Sequence, residues 1–192
     1  MEILQNEVVR LVPLDICHIE GIYKAAQDPR IWEHMSVELL SREKVLAYVD
    51  DAMKKRDIKT DYPFVIIQQE TNEIIGATWY LDISMQHKRL EIGSTWLNPK
   101  AWRTNINTNC KCLLLQYGFE ILEMQRIQIK TGHENIRSQK AIERIGAVKE
   151  GILRNHMITK EGNVRHTVMY SITKEEWRTV KKRFELDLLN KS

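Results

Sequence analysis

Three strand-like runs follow one another through the middle of the chain, and their spacing constrains the fold more than any other feature. They read YPFVIIQQ, EIIGATWYLDIS and RLEIGSTWL, with only short polar segments between them. Runs rich in β-branched and aromatic residues at this spacing predict an antiparallel meander. The third run is followed by a helical segment, CKCLLLQYGFEILE, and by a further strand, RIQIKTG. A strand, helix, strand crossover joined to a meander predicts a mixed α/β sheet, flanked by helices.

The remaining segments complete the predicted order β-α-α-β-β-β-α-β-α-β-β-α. Residues 7–14 are predicted as the first strand, and Asp15 and Ser41 as the N-caps of the two helices that follow. Asn135 is predicted to cap a short helix, and a hairpin and a terminal helix complete the chain. Because the sequence contains neither a repeat nor a linker-like segment, residues 1–192 are predicted to form a single domain.

Charge and composition exclude several classes of protein. The chain has 29 basic and 26 acidic residues, and a net charge of +3 gives no reason to expect a nucleic-acid partner. Its three cysteines form no metal-binding pattern and indicate reduced thiols. No segment approaches the roughly 18–20 apolar residues that span a bilayer, and the first residues lack the pattern of a signal peptide. We therefore expect a cytoplasmic protein that binds neither a membrane nor a metal ion.

The junction WRTNINTNCK, between the third strand and the helix, is the first candidate site. A helix N-terminus presents unpaired N–H groups and about half a positive charge, so it can bind an anion. Phosphate-binding loops at such junctions usually contain glycine, whereas this one contains Asn, the best non-glycine residue in left-handed conformations. The alternative is that this segment only caps a helix. The residues expected to bind through left-handed backbone or hydroxyl groups are Asn105, Asn107, Asn109, Thr104 and Thr108.

A second polar pair follows the strand that is predicted to lie parallel to the third run. Asn135 comes just after this strand, and Ser138 lies one turn further along the same helix face. Both side chains are expected to flank the cleft that opens where parallel neighbours diverge. The alternative is that Asn135 only caps the helix and Ser138 only faces water.

Several of these segments resemble one known family. NIRSQKAIERIGAVKEGILR, the strand VRHTVMYSI, the Glu-Glu-Trp helix and EIGSTWLNPKAWRTNINTNCKCLLLQYGFE are similar to the GNAT superfamily of acyl-CoA N-acetyltransferases. The resemblance is strongest to the branch of the RimJ and RimL acetyltransferases of ribosomal-protein N-termini. It extends from RLVPLD to YSITKEEW, nearly the whole chain.

This resemblance implies acetyl-CoA as the acyl donor and implies which residues bind it. The strand from Ile92 to Leu97 would pair with the pantetheine arm and splay from residues 126–131. The segment 102–109 would hold the pyrophosphate through backbone amides, although Arg103 and Asn105 stand where the family commonly has glycine. The residues expected to bind acetyl-CoA are Trp96, Leu97, Trp102, Arg103, Thr104, Asn105, Ile106, Asn107, Thr108, Asn135 and Ser138.

The resemblance also implies a direct transfer without an acyl-enzyme. Glu91 would accept the proton of the attacking amine, directly or through water, and Ser138 would protonate the departing thiolate. Many relatives carry a tyrosine one turn after Ser138, where this chain has Ile142. For Glu91, the alternative is an ordinary solvent-facing carboxylate.

The acceptor side is less defined by the sequence. Trp32, His34 and Met35 lie in the region where family members place their acceptor-binding elements. By resemblance, a protein N-terminal amine is the first expectation. A small amine such as a polyamine, an amino acid or an antibiotic is the alternative, and a non-catalytic acyl-CoA-binding module is a third. A monomer and a homodimer are both compatible with the pattern.

Overall fold

One mixed sheet of eight strands organises the molecule, in the order β1-β2-β3-β4-β5-β6-β8-β7. The computed structural model describes residues 2–189. Neighbouring strands are antiparallel except β5 and β6, which are parallel, so the predicted mixed α/β sheet is confirmed. The strands are Leu4–Gln5 (β1), Val9–Pro13 (β2), Tyr62–Gln68 (β3), Ile74–Ser84 (β4), Arg89–Leu97 (β5), Arg126–Gly132 (β6), Val148–Ile158 (β7) and Val164–Thr173 (β8).

The helices begin at the residues whose side chains can satisfy free amides. Asp15 Oδ1 accepts from the Ile16 amide, and Ser41 Oγ accepts from the Lys44 amide, so both predicted caps are confirmed. Gly146 has φ +98° just after the fourth helix, a conformation that favours glycine. The helices are Ile19–Ala25 (α1), Arg42–Asp57 (α2), Ile106–Gln116 (α3), Ile136–Arg144 (α4) and Lys174–Arg183 (α5).

Helices cover the two faces of the sheet unequally. One face of the β2–β5 half packs against α1 and α2, around Ile22, Trp32, Val49 and Trp96. The other face packs against α3, α4 and α5 along most of the sheet. The face of β6 that carries Gln128 and Lys130 belongs to neither apolar core, because the buried residues of β6 point to the α3 side. This polar face is where a site can form.

Two boundaries differ from the sequence prediction. The strand predicted over residues 7–14 is β2 and covers only Val9–Pro13, and the short strand β1 precedes it. Helix α3 begins at Ile106, whereas we expected it to begin at Cys110. Within residues 2–189, no helix is both long and apolar enough to cross a bilayer.

Candidate acyl-transfer site

The parallel strands β5 and β6 pair over three residues only. The pairs are Arg89 with Arg126, Leu90 with Ile127 and Glu91 with Gln128. Beyond them β5 stays paired with β4 as far as Leu97, while β6 stays paired with β8 as far as Gly132. A gap therefore opens between β5 and β6, and it exposes main-chain groups that can pair with an extended ligand.

A β-bulge bends β5 where the gap begins. The pairing of β4 with β5 shifts by one residue between Trp79, opposite Gly93, and Ala77, opposite Trp96. Ser94 adopts φ +46° in the extra position. Bulges re-aim the strand that carries them, and this one turns the end of β5 away from β6.

The junction after β5 is built differently from the sequence prediction. None of the three asparagines of this junction is left-handed; Arg103 is, at φ +62°, whereas Asn105 has φ −77°. Asn107, Thr108 and Asn109 lie in the first turns of α3, so the expectation of a left-handed asparagine loop was wrong. Arg103 thus adopts at one of the expected glycine positions a conformation that glycine would adopt more readily.

Long-range contacts explain the earlier helix start. Thr104 Oγ1 accepts from the Ile106 amide at 3.3 Å and donates to the Ala101 carbonyl at 2.7 Å. The side chain of Asn109 bonds Asn6 at 2.7 Å and the Asn105 carbonyl at 2.9 Å, which ties the first turn to the loop before β2. The side chains of Thr104 and Asn109 therefore support the turn rather than a ligand.

The backbone of this turn retains free donors. The first intrahelical bond runs from the Asn109 amide to the Asn105 carbonyl at 2.9 Å. In the part of the chain that the structure describes, the amides of Asn107 and Thr108 have no acceptor. Free amides at the positive end of a helix dipole can bind an anion, so the expected anion site remains at this turn.

Basic side chains surround the same turn. A surface cavity of about 450 Å³ opens there, and Arg144 Nη2 donates to Thr108 Oγ1 at 2.7 Å. Thr108 is buried, so its hydroxyl holds Arg144 instead of meeting a ligand as we expected. Three guanidinium groups against one carboxylate make the cavity suitable for a polyanion. Its lining residues are Arg103, Thr104, Asn105, Thr108, Arg144, Arg183, Asp187 and Leu188.

Trp102 contacts the end of β5 and the first turn of α4. Its Nε1 donates to the Leu97 carbonyl at 2.9 Å, and the guanidinium groups of Arg137 and Arg30 lie 4.5 Å and 5.8 Å from the ring centroid. Because Arg137 belongs to the first turn of α4, Trp102 links the N-termini of α3 and α4.

Trp96 and Leu97 are buried, at 3% and 8% exposure, so their side chains belong to the core. Only their main chain is placed to contact an acyl donor. The strand from Ile92 to Leu97 remains a candidate for the pantetheine arm on that basis.

Helix α4 presents the two predicted polar groups at the other side of the gap. Asn135 Oδ1 accepts from the Ser138 amide at 3.0 Å, so Asn135 does cap the helix. Capping uses only its oxygen, and within residues 2–189 its Nδ2 donor and the Ser138 hydroxyl have no protein partner. Asn135 can therefore cap α4 and still donate to a ligand.

Glu91 is buried at the last pair before the gap. It is 1% exposed, which excludes the solvent-facing alternative. Its Oε2 lies 2.9 Å from Lys130 Nζ and 3.2 Å from Gln128 Nε2, both on β6. A Cβ on Gly93 would lie 2.7 Å from Glu91 Oε1, so the absence of a side chain at Gly93 makes room for the carboxylate.

On the acceptor side, the three predicted residues have different environments. Trp32 is fully buried, donates to the Ala26 carbonyl at 3.0 Å and packs on Trp96, so it does not line an open cleft. His34 is exposed and Met35 is half-buried. The His34 carbonyl lies 3.5 Å from Arg165 Nη1 on β8, and Glu38 Oε2 lies 3.8 Å from Lys160 Nζ in the β7–β8 turn.

These contacts bring the segment 33–40 against the β7–β8 hairpin, a relationship that sequence reasoning missed. No local pattern in the hairpin indicates it. The two segments together bound one end of the polar face that carries Glu91.

Sequence reasoning also missed a buried lysine beside the gap. Lys111, on α3, donates from Nζ to Thr95 Oγ1 at 2.7 Å, and Thr95 Oγ1 lies 2.8 Å from Thr78 Oγ1. Burial lowers the pKa of Lys111 to about 8, because the charged form loses its hydration. A lysine among the apolar positions of a helix was the available signal.

Among residues 2–189, the other reactive groups do not assemble into a second centre. Burial raises the pKa of the Cys110 thiol to about 12, so it stays protonated. His133, at the end of β6, is half-buried against the ring of His166, with centroids 4.8 Å apart. Across the described chain, no group of three or more His, Cys, Asp or Glu side chains is arranged to hold a metal.

Two parallel strands separate here beside a helix N-terminus with free amides and a basic cavity. This combination is suited to an extended acyl carrier that bears phosphate groups. Residues 9–148 match the acetyltransferase (GNAT) domain family, so the chain belongs to that family. It is an acyltransferase that uses acetyl-CoA as the donor, and when bound acetyl-CoA supplies the thioester acyl group. The α3 turn, the basic cavity, the edge of β5 and Asn135 would hold it.

Relatives of this chain cover nearly all of its length. It is 26% identical to the uncharacterised N-acetyltransferase p20 of Bacillus licheniformis over 92% of this chain and 99% of that one. It superposes on a GCN5-related N-acetyltransferase from Brucella melitensis with a TM-score of 0.90 and 27% identity, over 97% of this chain and 85% of that one.

Two further similarities concern proteins whose names mention a substrate or ligand. YdaF of Bacillus subtilis, provisionally named a ribosomal N-acetyltransferase, is 31% identical over 50% of this chain and 51% of that one. The microcin C7 self-immunity acetyltransferase MccE, in complex with acetyl-CoA and AMP, shares the fold with a TM-score of 0.78 and 21% identity, over 88% of this chain and 93% of that one.

Proposed function

We propose that this acetyltransferase acts in the cytoplasm on the N-terminal amine of a protein, as the RimJ and RimL enzymes do. The observation that carries the proposal is the separation of β5 from β6 directly after Glu91, with α3 and α4 opening on the gap. The partial similarity to YdaF supports a protein acceptor.

Each polar group then has a role. Amides of Asn107 and Thr108, with Arg144, bind the diphosphate, and the edge of β5 and Asn135 Nδ2 hold the pantetheine arm. The Glu91 carboxylate takes a proton from the amine, and Lys130 neutralises the buried carboxylate before that transfer. Ser138 gives its proton to the departing thiolate.

A small amine is the second candidate, and one observation favours it. The contacts between the segment 33–40 and the β7–β8 hairpin close one end of the polar face, which suits a compact acceptor. An N-terminal segment would have to enter from the open end.

The test is an intact-mass assay with purified protein and acetyl-CoA. We expect a gain of about 42 Da, one acetyl group, on a peptide with a free N-terminus and no gain on the same peptide with a formylated N-terminus. Acetylation of spermidine, free amino acids or an aminoglycoside, with the peptide unmodified, would support the small-amine candidate instead. Mass detection is preferable to thiol reagents, because Cys17 is exposed and reacts with them.

A further inference from the structure

Arg165 lies on the polar face of the sheet and has no anionic partner among the residues that the structure describes. Its Nη1 lies 3.5 Å from the His34 carbonyl, and its Nη2 lies 2.9 Å from Met157 Sδ. Its Nε is buried and has no hydrogen-bond partner within the described part of the chain. Among residues 2–189, no Asp or Glu forms an ion pair with it.

These contacts leave the guanidinium poorly satisfied. A thioether is a weak acceptor, and a carbonyl at 3.5 Å is at the limit of a hydrogen bond. A guanidinium has five donors in a planar fork that matches a carboxylate, and half-buried arginines ordinarily find such a partner. The environment of Arg165 is therefore incomplete without an anion.

The position of Arg165 relates it to Glu91. Its Cδ would lie 3.2 Å from a Cβ on Gly132, so the side chain crosses the end of β6 on the face that a Gly132 side chain would occupy. Alternate residues of a strand share a face, so Lys130 points to the same side. Glu91 is paired with Gln128, four residues or about 13 Å of strand before Gly132, and Lys130, which lies between them, contacts Glu91 through its ammonium.

The acceptor segment meets the same guanidinium. His34, in the region predicted to bind the acceptor, touches Arg165 through its carbonyl. An acceptor whose amine lies at Glu91 would therefore meet Arg165 through a group farther along the molecule, about the length of one extended residue and its side chain away.

We propose that Arg165 binds a carboxylate of the acceptor, so that the substrate is an amine with an acidic group close to its nitrogen. This inference rests on the proposed acetyl transfer, and it selects protein N-termini with an acidic side chain at the first or second position. A free amino acid offers the same chemistry through its α-carboxylate, and the experiment separates the two sources.

The experiment compares two peptides that differ only in Asp or Asn at the second position. We expect wild-type kcat/KM to favour the Asp peptide by about 10-fold or more, as a charge-assisted hydrogen bond would give. Arg165→Gln should abolish this preference, and Arg165→Lys should restore part of it. Arg154→Gln, an exposed arginine on β7, is the matched control and should keep the wild-type preference.

A purely structural role for Arg165 predicts a different result. Arg165→Gln would then lower activity on both peptides equally, and that outcome overturns the proposal, as does a wild-type enzyme indifferent to Asp or Asn. The Kd of acetyl-CoA, measured by calorimetry, should stay within about twofold in Arg165→Gln, since the donor side lies across β6.

Two further measurements separate this inference from the proposed function. If neither peptide is acetylated but an amino acid is preferred over its amide, the carboxylate assignment stands and the protein acceptor fails. If nothing is acetylated, calorimetric binding of the two peptides to the protein–CoA complex decides: preference for Asp that Arg165→Gln removes supports the inference, and equal binding overturns it.

Discussion

Lys130 Nζ lies 2.9 Å from Glu91 Oε2, across two parallel strands that separate one residue after Glu91. A carboxylate that is 1% exposed would be costly without this partner. The ion pair therefore lets a charged group occupy the floor of the gap. The ion pair also joins β5 to β6 at Glu91, the last residue of β5 whose backbone pairs with β6.

Gly93→Ala should displace the Glu91 carboxylate. The added Cβ would lie 2.7 Å from Glu91 Oε1 and 2.7 Å from Leu81 Cδ1, so both side chains, or the backbone that carries the alanine, must move. We expect kcat to fall about 10-fold or more, because a displacement of about 1 Å disturbs proton transfer. The Kd of acetyl-CoA should change less than about twofold, because the alanine does not reach the α3 turn.

The control is Gly151→Ala, on exposed strand β7. Among the described residues, a Cβ there meets nothing within 4 Å, so the kcat of this variant should match wild type. Stopped-flow turnover and calorimetry of the two variants make the comparison. A wild-type kcat in Gly93→Ala would show that the position of Glu91 does not matter for the reaction.

Asn135→Ser and Asn135→Ala should separate capping from ligand binding. Serine is also a good N-cap, so it keeps the acceptor for the Ser138 amide but removes the Nδ2 donor. We expect both variants to weaken acetyl-CoA binding about 5- to 10-fold, whereas only Asn135→Ala should lose about 1 kcal/mol of stability. Calorimetry measures the affinity, and urea unfolding measures the stability. Wild-type affinity in Asn135→Ser would leave Asn135 with capping alone.

The sequence was sufficient for the fold because the signals are local. The runs rich in β-branched and aromatic residues from Tyr62 to Leu97 and the helix caps Asp15 and Ser41 depend on neighbours in the chain, and all were found in the structure. The parallel pairing of β5 with β6 followed from the helix between them.

The site was less predictable, because its geometry depends on distant partners. Helix α3 begins early through Thr104 and through Asn6, which bonds Asn109 from 103 residues away. Trp32 is likewise buried by residues from distant parts of the chain, and Arg165 contacts His34 across 131 residues, so no local pattern indicates either. Residue types indicated the chemistry, but tertiary contacts decided which groups remain free.

Arg144→Met should weaken the binding of acetyl-CoA through the loss of a charge. Arg144 is held over the α3 turn by its bond to Thr108 and lines the basic cavity. We expect the Kd to rise about 10-fold at low salt and the salt dependence of the Kd to become shallower, because one phosphate contact is lost.

Arg178→Met provides the comparison, since this exposed arginine of α5 does not line the cavity. Calorimetric titrations at two salt concentrations, near 50 and 300 mM as a rough guide, would measure both effects. If the two variants have the same Kd for acetyl-CoA and the same salt dependence, Arg144 does not bind the phosphate groups.

Lys111→Met should change how stability depends on pH. The pKa of Lys111 is lowered to about 8 in the folded protein by burial, whereas an unfolded lysine titrates near 10.4. Between these values the unfolded chain binds more protons than the folded one, so the contribution of Lys111 to stability rises with pH there. Below pH 8 lysine is protonated in both states and its burial costs stability.

The methionine variant retains the apolar volume and lacks the titration. Replacing a buried charge by an apolar residue is often neutral or stabilising, so we expect Lys111→Met to equal or exceed wild type near pH 7. Relative to the variant, wild type should then gain up to about 1.4 kcal/mol per pH unit between pH 8 and 10. Urea unfolding of both proteins at pH 7, 8 and 9 measures this difference in stability. The contributions of the other titrating groups are common to both proteins and cancel in the difference. A difference that stays constant with pH would mean that Lys111 keeps its ordinary proton affinity despite its burial beside Thr95.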